Sequence, residues 1–158
     1  MADRENIYAV TDIDWETDGE HIDLSRDLSF LNKWKGRLDI TGYDLLHGYC
    51  NIFAKALNEE FGYRMFRVVD GYGTLVHCYA CGTESGRLVY IDVRGKTTDY
   101  STFISEFERW TTEEDSLQNT KPMNPDDVYI PWTGYSEAAY ELSLRIIRAF
   151  PHRYQTNI

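Results

Sequence analysis

Two strand-like runs, Leu75–Cys81 and Arg87–Val93, flank the short segment Gly82-Thr83-Glu84-Ser85-Gly86, and no other feature restricts the fold of this chain as much. So short a glycine-bounded connection joins antiparallel neighbours, because parallel strands need a crossover of a dozen residues or more. A third run, Arg64–Asp70, precedes them. Ahead of the strands, Leu45, Tyr49, Ile52, Phe53, Ala56 and Leu57 recur at helical spacing over 45–61, with Phe61-Gly62 as the stop. Behind them, Thr102–Trp110 reads as a short helix and 111–127 as a polar loop holding Pro122 and Pro125. Ser136 then reads as the N-cap of a helix through Phe150, with Ala139, Leu142, Ile146 and Phe150 on one stripe and Pro151 ending it. The order helix, antiparallel strands, helix predicts an α+β fold. Ile7–Trp15 alternates weakly, as an edge strand would.

At 158 residues with no internal repeat, the chain is expected to form a single domain over 1–158. No run approaches the ~18 apolar residues of a membrane span. MADRENIYAV lacks the basic and apolar regions of a secretory signal, so a cytoplasmic protein is expected, with no membrane partner. The net charge of −10 is unevenly placed. The acidic segment 1–30 holds nine acids against Arg4 and Arg26, and 111–127 holds five against Lys121, which leaves the rest of the chain near neutrality. Such a surface repels phosphates, so direct nucleic-acid binding is not expected. A basic protein or peptide partner fits it better, although acidity that serves only solubility gives the same pattern.

A thiol enzyme needs a cysteine ionised near neutral pH, an imidazole to pair with it, and a third group to orient the imidazole. Cys50 lies near the start of the predicted helix; if Gly48 permits a tight turn there, Cys50 sits where free amides favour thiolate. His77 and Asp92 lie in the two hairpin strands. With Thr83–Gly86 as a four-residue loop, Gly82 pairs with Arg87, and His77 falls directly opposite Asp92 on the same face. A different loop length would move Asp92 to the other face, so this geometry depends on the turn.

The string Gly48-Tyr49-Cys50-Asn51-Ile52-Phe53-Ala54-Lys55-Ala56-Leu57, then Phe61-Gly62-Tyr63, Val68–Gly71, His77-Cys78-Tyr79 and Val89-Tyr90-Ile91-Asp92-Val93-Arg94-Gly95, resembles the core of the transglutaminase-like division of papain-type thiol enzymes. The motif region spans 44–95. The resemblance implies a papain-like core in which a helix bearing the cysteine packs on an antiparallel sheet bearing the histidine and aspartate. It also implies catalytic roles: Cys50 as nucleophile, His77 as general base and acid, and Asp92 as the group that orients His77. No cofactor is implied. Cys78 and Tyr79 depart from the small residue and tryptophan usual after the histidine. No glutamine stands upstream of Cys50 to complete an oxyanion hole, which leaves Tyr43, Asp44 and His47 as auxiliary candidates. The implied reaction is acyl transfer at an amide, of peptidase, deamidase or transglutaminase type. The opening Thr11–Glu20 resembles that of small bacterial and phage proteins.

Each residue also has a plainer reading. Cys50 could be small core, His77 a satisfied core histidine, and Asp92 a partner of Arg94. His77, Cys78 and Cys81 suggest zinc by type, but Cys78 faces away from the other two along a strand, so no metal site is expected. Trp15, Phe30, Trp34, Trp110 and Trp132 suit a core more than a substrate groove. The competing class is a non-enzymatic acidic binding protein or inhibitor, of the kind phages and mobile elements carry, with the same fold and an idle thiol.

Overall fold

A computed structural model of the protein describes residues 28–70, 75–107, 120–127 and 134–156. The expected strand over Ile7–Trp15, most of the acidic segment 1–30, and Trp15, Trp110 and Trp132 lie outside the described residues.

Five antiparallel strands form one sheet: β1 (Arg64–Val69), β2 (Leu75–Glu84), β3 (Arg87–Asp92), β4 (Gly95–Thr97) and β5 (Thr120–Met123), in the order β4-β3-β2-β1-β5. The helices are α1 (Asp44–His47), α2 (Cys50–Phe61), α3 (Tyr100–Ser105), α4 (Gly134–Ala149) and α5 (Pro151–Tyr154). The architecture is α+β, with helices packed on the sheet. α2 lies against β2 on one side and α4 on the other. This follows from its sequence, since Ile52, Phe53, Ala56 and Leu57 form a continuous buried stripe.

The predicted helix over 45–61 is two helices. α1 ends when the Asp44 carbonyl accepts from both Gly48 N–H (2.8 Å) and Tyr49 N–H (2.7 Å), and α2 starts afresh at Cys50. α2 closes at Gly62, whose N–H returns to Asn58 O at 2.8 Å. Two further boundaries differ from expectation. Ser136 is buried inside α4 rather than capping it, because the helix already begins at Gly134. Within 111–127, Thr120–Met123 pairs with β1 as an edge strand, a place where Pro122 costs the sheet no interior hydrogen bond.

The hairpin turn is also shorter than predicted. Glu84 pairs with Arg87 across Ser85 (φ 52°) and Gly86 (φ 77°), the two positive-φ positions of a tight primed turn. The register therefore moves by two residues: Ala80 pairs with Ile91, and the same register continued sets Asp92 across from Tyr79 rather than from His77. An even shift preserves the face, so His77 and Asp92 become diagonal neighbours on one side of the sheet.

The core behind the site is aromatic. Trp34, fully buried, meets Phe30 edge-on at 5.5 Å and stacks on Phe150 at 5.4 Å. Phe30 and Trp34 are thus core, as their type suggested. The C-terminal segment is strapped across the sheet: Tyr154 donates its hydroxyl to Val93 O (2.6 Å), Tyr63 donates to Tyr154 O (2.9 Å), and Lys96 Nζ donates to Gln155 O (2.6 Å).

Candidate active site

Cys50 is the first residue of α2, and no side chain caps that helix end. The amides of a helix's first turn have no intrahelical acceptor, and their dipoles favour a negative group beside them. Pairing between β2 and β3 stops at Ala80 and Ile91, and α2 begins against the stretch of β2 beyond. There the Cys78 amide donates to Cys50 Sγ at 3.3 Å. The sulfur takes a place a strand carbonyl would otherwise fill.

His77 is fully buried. Its Nε2–H donates to Asp92 Oδ2 at 2.9 Å. That bond sets the tautomer and aims the opposite nitrogen, Nδ1, away from Asp92. Nδ1 has no hydrogen-bond partner within the protein, and Cys50 is the group besides Asp92 whose charge acts on the ring. Phe107 stacks on the imidazole with centroids 4.0 Å apart and planes 22° apart, holding the ring from one face. A bulge between Val68 and Val69 on the neighbouring strand adjoins His77, whose partner is Val68.

Asp92 is held from the other side by Arg94. Arg94 Nη2 donates to Oδ2 at 2.8 Å, Nε donates to Oδ1 at 3.1 Å, and the Arg94 amide adds a bond to Oδ1 at 2.9 Å. The same guanidinium donates to Phe103 O (2.9 Å) and lies over the Phe103 ring at 4.7 Å. Cys50, His77, Asp92 and Arg94 thus form a buried chain of alternating charge when the thiol is ionised.

The titration of these groups follows from that chain. For Cys50, hydrogen bonding with Cys78 outweighs burial and, with the His77 imidazolium, holds the thiol well below its ordinary range. For His77, burial opposes the charged ring, but the bond to Asp92 and the interaction with Cys50 overcome it, and the imidazole is raised. For Asp92, burial alone would favour the acid, yet Arg94 and then His77 hold the carboxyl below the usual carboxylate range. Cys81 is pushed up to about 11 by burial and remains a thiol.

The auxiliary candidates are engaged elsewhere. Asp44 Oδ2 accepts from Thr41 N (2.9 Å) and Thr41 Oγ1 (3.3 Å), which closes the turn into α1. His47 Nε2 pairs with Glu106 Oε2 at 3.3 Å and meets Phe107 edge-on at 5.5 Å. The Tyr43 ring lies against His47 at 4.9 Å. None of these contacts supplies a donor at Cys50, and the backbone amides at the start of α2 are the donors nearest the sulfur in sequence. Sequence reasoning placed Arg94 only as a plain partner of Asp92 and missed Phe107 altogether. Arg94 was legible from its position two residues beyond Asp92; nothing local marked Phe107.

Among the described residues there is no group of three or more His, Cys, Asp or Glu that could hold a metal ion, and no helix long and apolar enough to cross a membrane. A cavity of about 370 Å³ opens at the other end of β2, lined by Phe61, Tyr63, Arg64, Phe66, Cys81 and Leu88 among others, with none of Cys50, His77 and Asp92 in its wall. Comparison with family models, curated proteins and solved structures finds no match to this chain.

Proposed function

We propose that the protein is a thiol-dependent acyl-transfer enzyme acting on an amide, with a core of the transglutaminase-like, papain-type kind and Cys50, His77 and Asp92 as its catalytic residues. The observation that carries this reading is the buried His77–Asp92 pair beside a thiol at the head of a helix. Cys50 heads a helix, its sulfur accepts at 3.3 Å from the amide of the residue after His77, and the buried His77 imidazole donates to a buried carboxylate at 2.9 Å. The lowered Cys50 and raised His77 favour the thiolate–imidazolium pair that this chemistry needs.

The Cys50 thiolate attacks the amide carbonyl carbon, and the developing oxyanion is stabilised by the Cys50 amide at the head of α2. The His77 imidazolium gives its Nδ1 proton to the leaving amine as the C–N bond breaks, leaving a thioester on Cys50. His77, now neutral, removes a proton from water or from an incoming amine, which attacks the thioester and releases the thiolate. Asp92 stabilises the imidazolium and keeps its orientation; Arg94 holds Asp92. Water at a peptide bond makes this a peptidase, water at a glutamine side chain a deamidase, and an amine acceptor a cross-linking enzyme. The substrate is a protein or peptide, and the chain's charge suits a basic one.

The test is alkylation of the native protein with iodoacetamide across pH, with the modified site assigned by mass spectrometry. Cys50 should label ahead of Cys78 and Cys81 near pH 6, well below the ordinary thiol value of about 8.5. Labelling of Cys50 no faster than that of the other two would overturn the reading. The second reading is an acidic binding protein on the same scaffold. It is favoured by the nine acids in residues 1–30 and by the engagement of Tyr43, Asp44 and His47 away from the sulfur. Tight binding to a basic partner that survives Cys50→Ala would decide for it.

A further inference from the structure

The acyl-transfer chemistry uses one sulfur, but the structure brings four together. Cys78 follows His77 on β2 and so points to the opposite face of the strand, toward α2. There Cys50, Ala54, Met65 and Cys78 form a small cluster apart from the main core, with Met123 of β5 packed on it. Cys50 Sγ accepts the Cys78 amide at 3.3 Å, and the Cys78 thiol is directed at Met123 Sδ, 3.8 Å away. An amide nitrogen and its Cβ share one Cα, so the Cys50 sulfur already lies beside the Cys78 side chain. Cys78 is fully buried, whereas Cys50 keeps 7% of its surface. A small oxidant therefore meets Cys50 first.

We propose that Cys50 and Cys78 form an oxidative modification site: hydroperoxides oxidise Cys50, and Cys78 captures the product as a reversible intramolecular disulfide. The inference rests on the nucleophilic Cys50 of the proposed function, but not on acyl transfer itself. In the first step the Cys50 thiolate attacks the terminal oxygen of the hydroperoxide. An S–O bond forms and the O–O bond breaks; the departing oxygen takes the proton of the His77 imidazolium and leaves as water or an alcohol. The sulfur is oxidised to sulfenic acid and the peroxide is reduced. In the second step the Cys78 sulfur attacks the Cys50 sulfur as its proton passes to the departing hydroxyl, so an S–S bond forms, the S–O bond breaks and water leaves. The balance is two thiols and one hydroperoxide giving one disulfide, water, and the alcohol or a second water. Without a capturing thiol, sulfenic acid proceeds to sulfinic acid, which ordinary thiols do not reverse. Cys78 thus protects the nucleophile while switching it off.

The experiment treats the native protein with hydrogen peroxide, blocks free thiols, and maps Cys50, Cys78 and Cys81 by mass spectrometry before and after dithiothreitol. The expected product is a Cys50–Cys78 cross-link within one chain, lighter by the mass of two hydrogens, with Cys81 free. Dithiothreitol should restore iodoacetamide labelling of Cys50 in full. In Cys78→Ala, Cys50 should pass to sulfinic acid and labelling should not return. Sulfinic acid at Cys50 beside a free Cys78 in the native chain, or a cross-link through Cys81, would overturn the proposal, and neither result needs the variant to fold. If Cys50 alkylates rapidly near pH 6 yet forms no cross-link, this inference alone fails. If Cys50 neither alkylates ahead of the other thiols nor cross-links, the nucleophile itself is refuted.

Discussion

Asp92 is where the site's electrostatics are decided. It is 2% exposed, accepts from His77 at 2.9 Å, and is gripped by Arg94 through both carboxylate oxygens. Replacing it by asparagine keeps the shape and removes the charge. The His77 imidazolium then loses support and its raised pKa falls, and the Cys50 thiolate loses its partner in turn. The pH profile of Cys50 alkylation in Asp92→Asn should therefore move upward, toward that of an ordinary thiol. If an amide substrate is in hand, turnover should drop by a factor on the order of 10⁴, the effect of the equivalent change in a serine-protease triad. Turnover in the parent protein should be bell-shaped with pH, rising with ionisation of Cys50 below the usual thiol range and falling as His77 deprotonates above the usual imidazole range. A single sigmoid with a midpoint near that of free cysteine would contradict the pairing.

At the scale of elements, the break between α1 and α2 makes Cys50 a first residue instead of a mid-helix one. Gly48 sits at that break with φ −113°, and a Cβ added to it would stand 3.5 Å from Asp44 O, an ordinary contact. The tight turn expected there is present, and a side chain at 48 would fit it. Gly42 is the crowded position: its added Cβ would lie 2.8 Å from Leu31 O and 3.2 Å from the Trp34 ring. Gly42→Ala should cost about 1–3 kcal/mol by overpacking, while Gly48→Ala should stay within about 0.5 kcal/mol of the parent; urea denaturation of the two variants measures both. In the hairpin, Gly86 at φ 77° carries the turn that sets which residues pair. Gly86→Val should destabilise by about 1–2 kcal/mol, because a branched side chain is strained at positive φ.

For the whole molecule, pH dependence separates into two parts. Asp92 has a depressed folded pKa, so its contribution is fully present above the unfolded carboxylate value of about 3.9 and is lost as pH falls through the lower folded value. Stability should drop in that acid range more steeply in the parent than in Asp92→Asn, as read by urea midpoints. His77, raised, contributes below about 6.5 and loses that contribution as pH rises through its folded value; Cys50, lowered, does the reverse below about 8.5. Between those values folding only passes a proton from the thiol to the imidazole, so this pair should leave stability nearly flat there. The −10 charge acts at longer range. Association with a basic partner should weaken steeply with salt, and Asp12, Asp14, Glu16 and Asp18 changed to amides should slow association more than they speed dissociation. Affinity indifferent to both would assign those acids to solubility.

What the sequence determined by itself is local and periodic. Apolar spacing located α2 and its Gly62 stop, strand alternation placed His77 and Asp92 on one face, and a glycine-bounded turn made their strands antiparallel. The face assignment survived a two-residue error in register because side chains alternate with period two. The tertiary structure decided what depends on contacts distant in the chain. Phe107 covers the imidazole, Met123 of a proline-bearing edge strand reaches the sulfur cluster, and the Cys78 amide is left for Cys50 because β3 stops pairing at Ile91. Periodicity reports which way a side chain faces, but not what packs against it from a distant part of the chain. Those distant contacts lower the thiol of a small helix residue below its ordinary range.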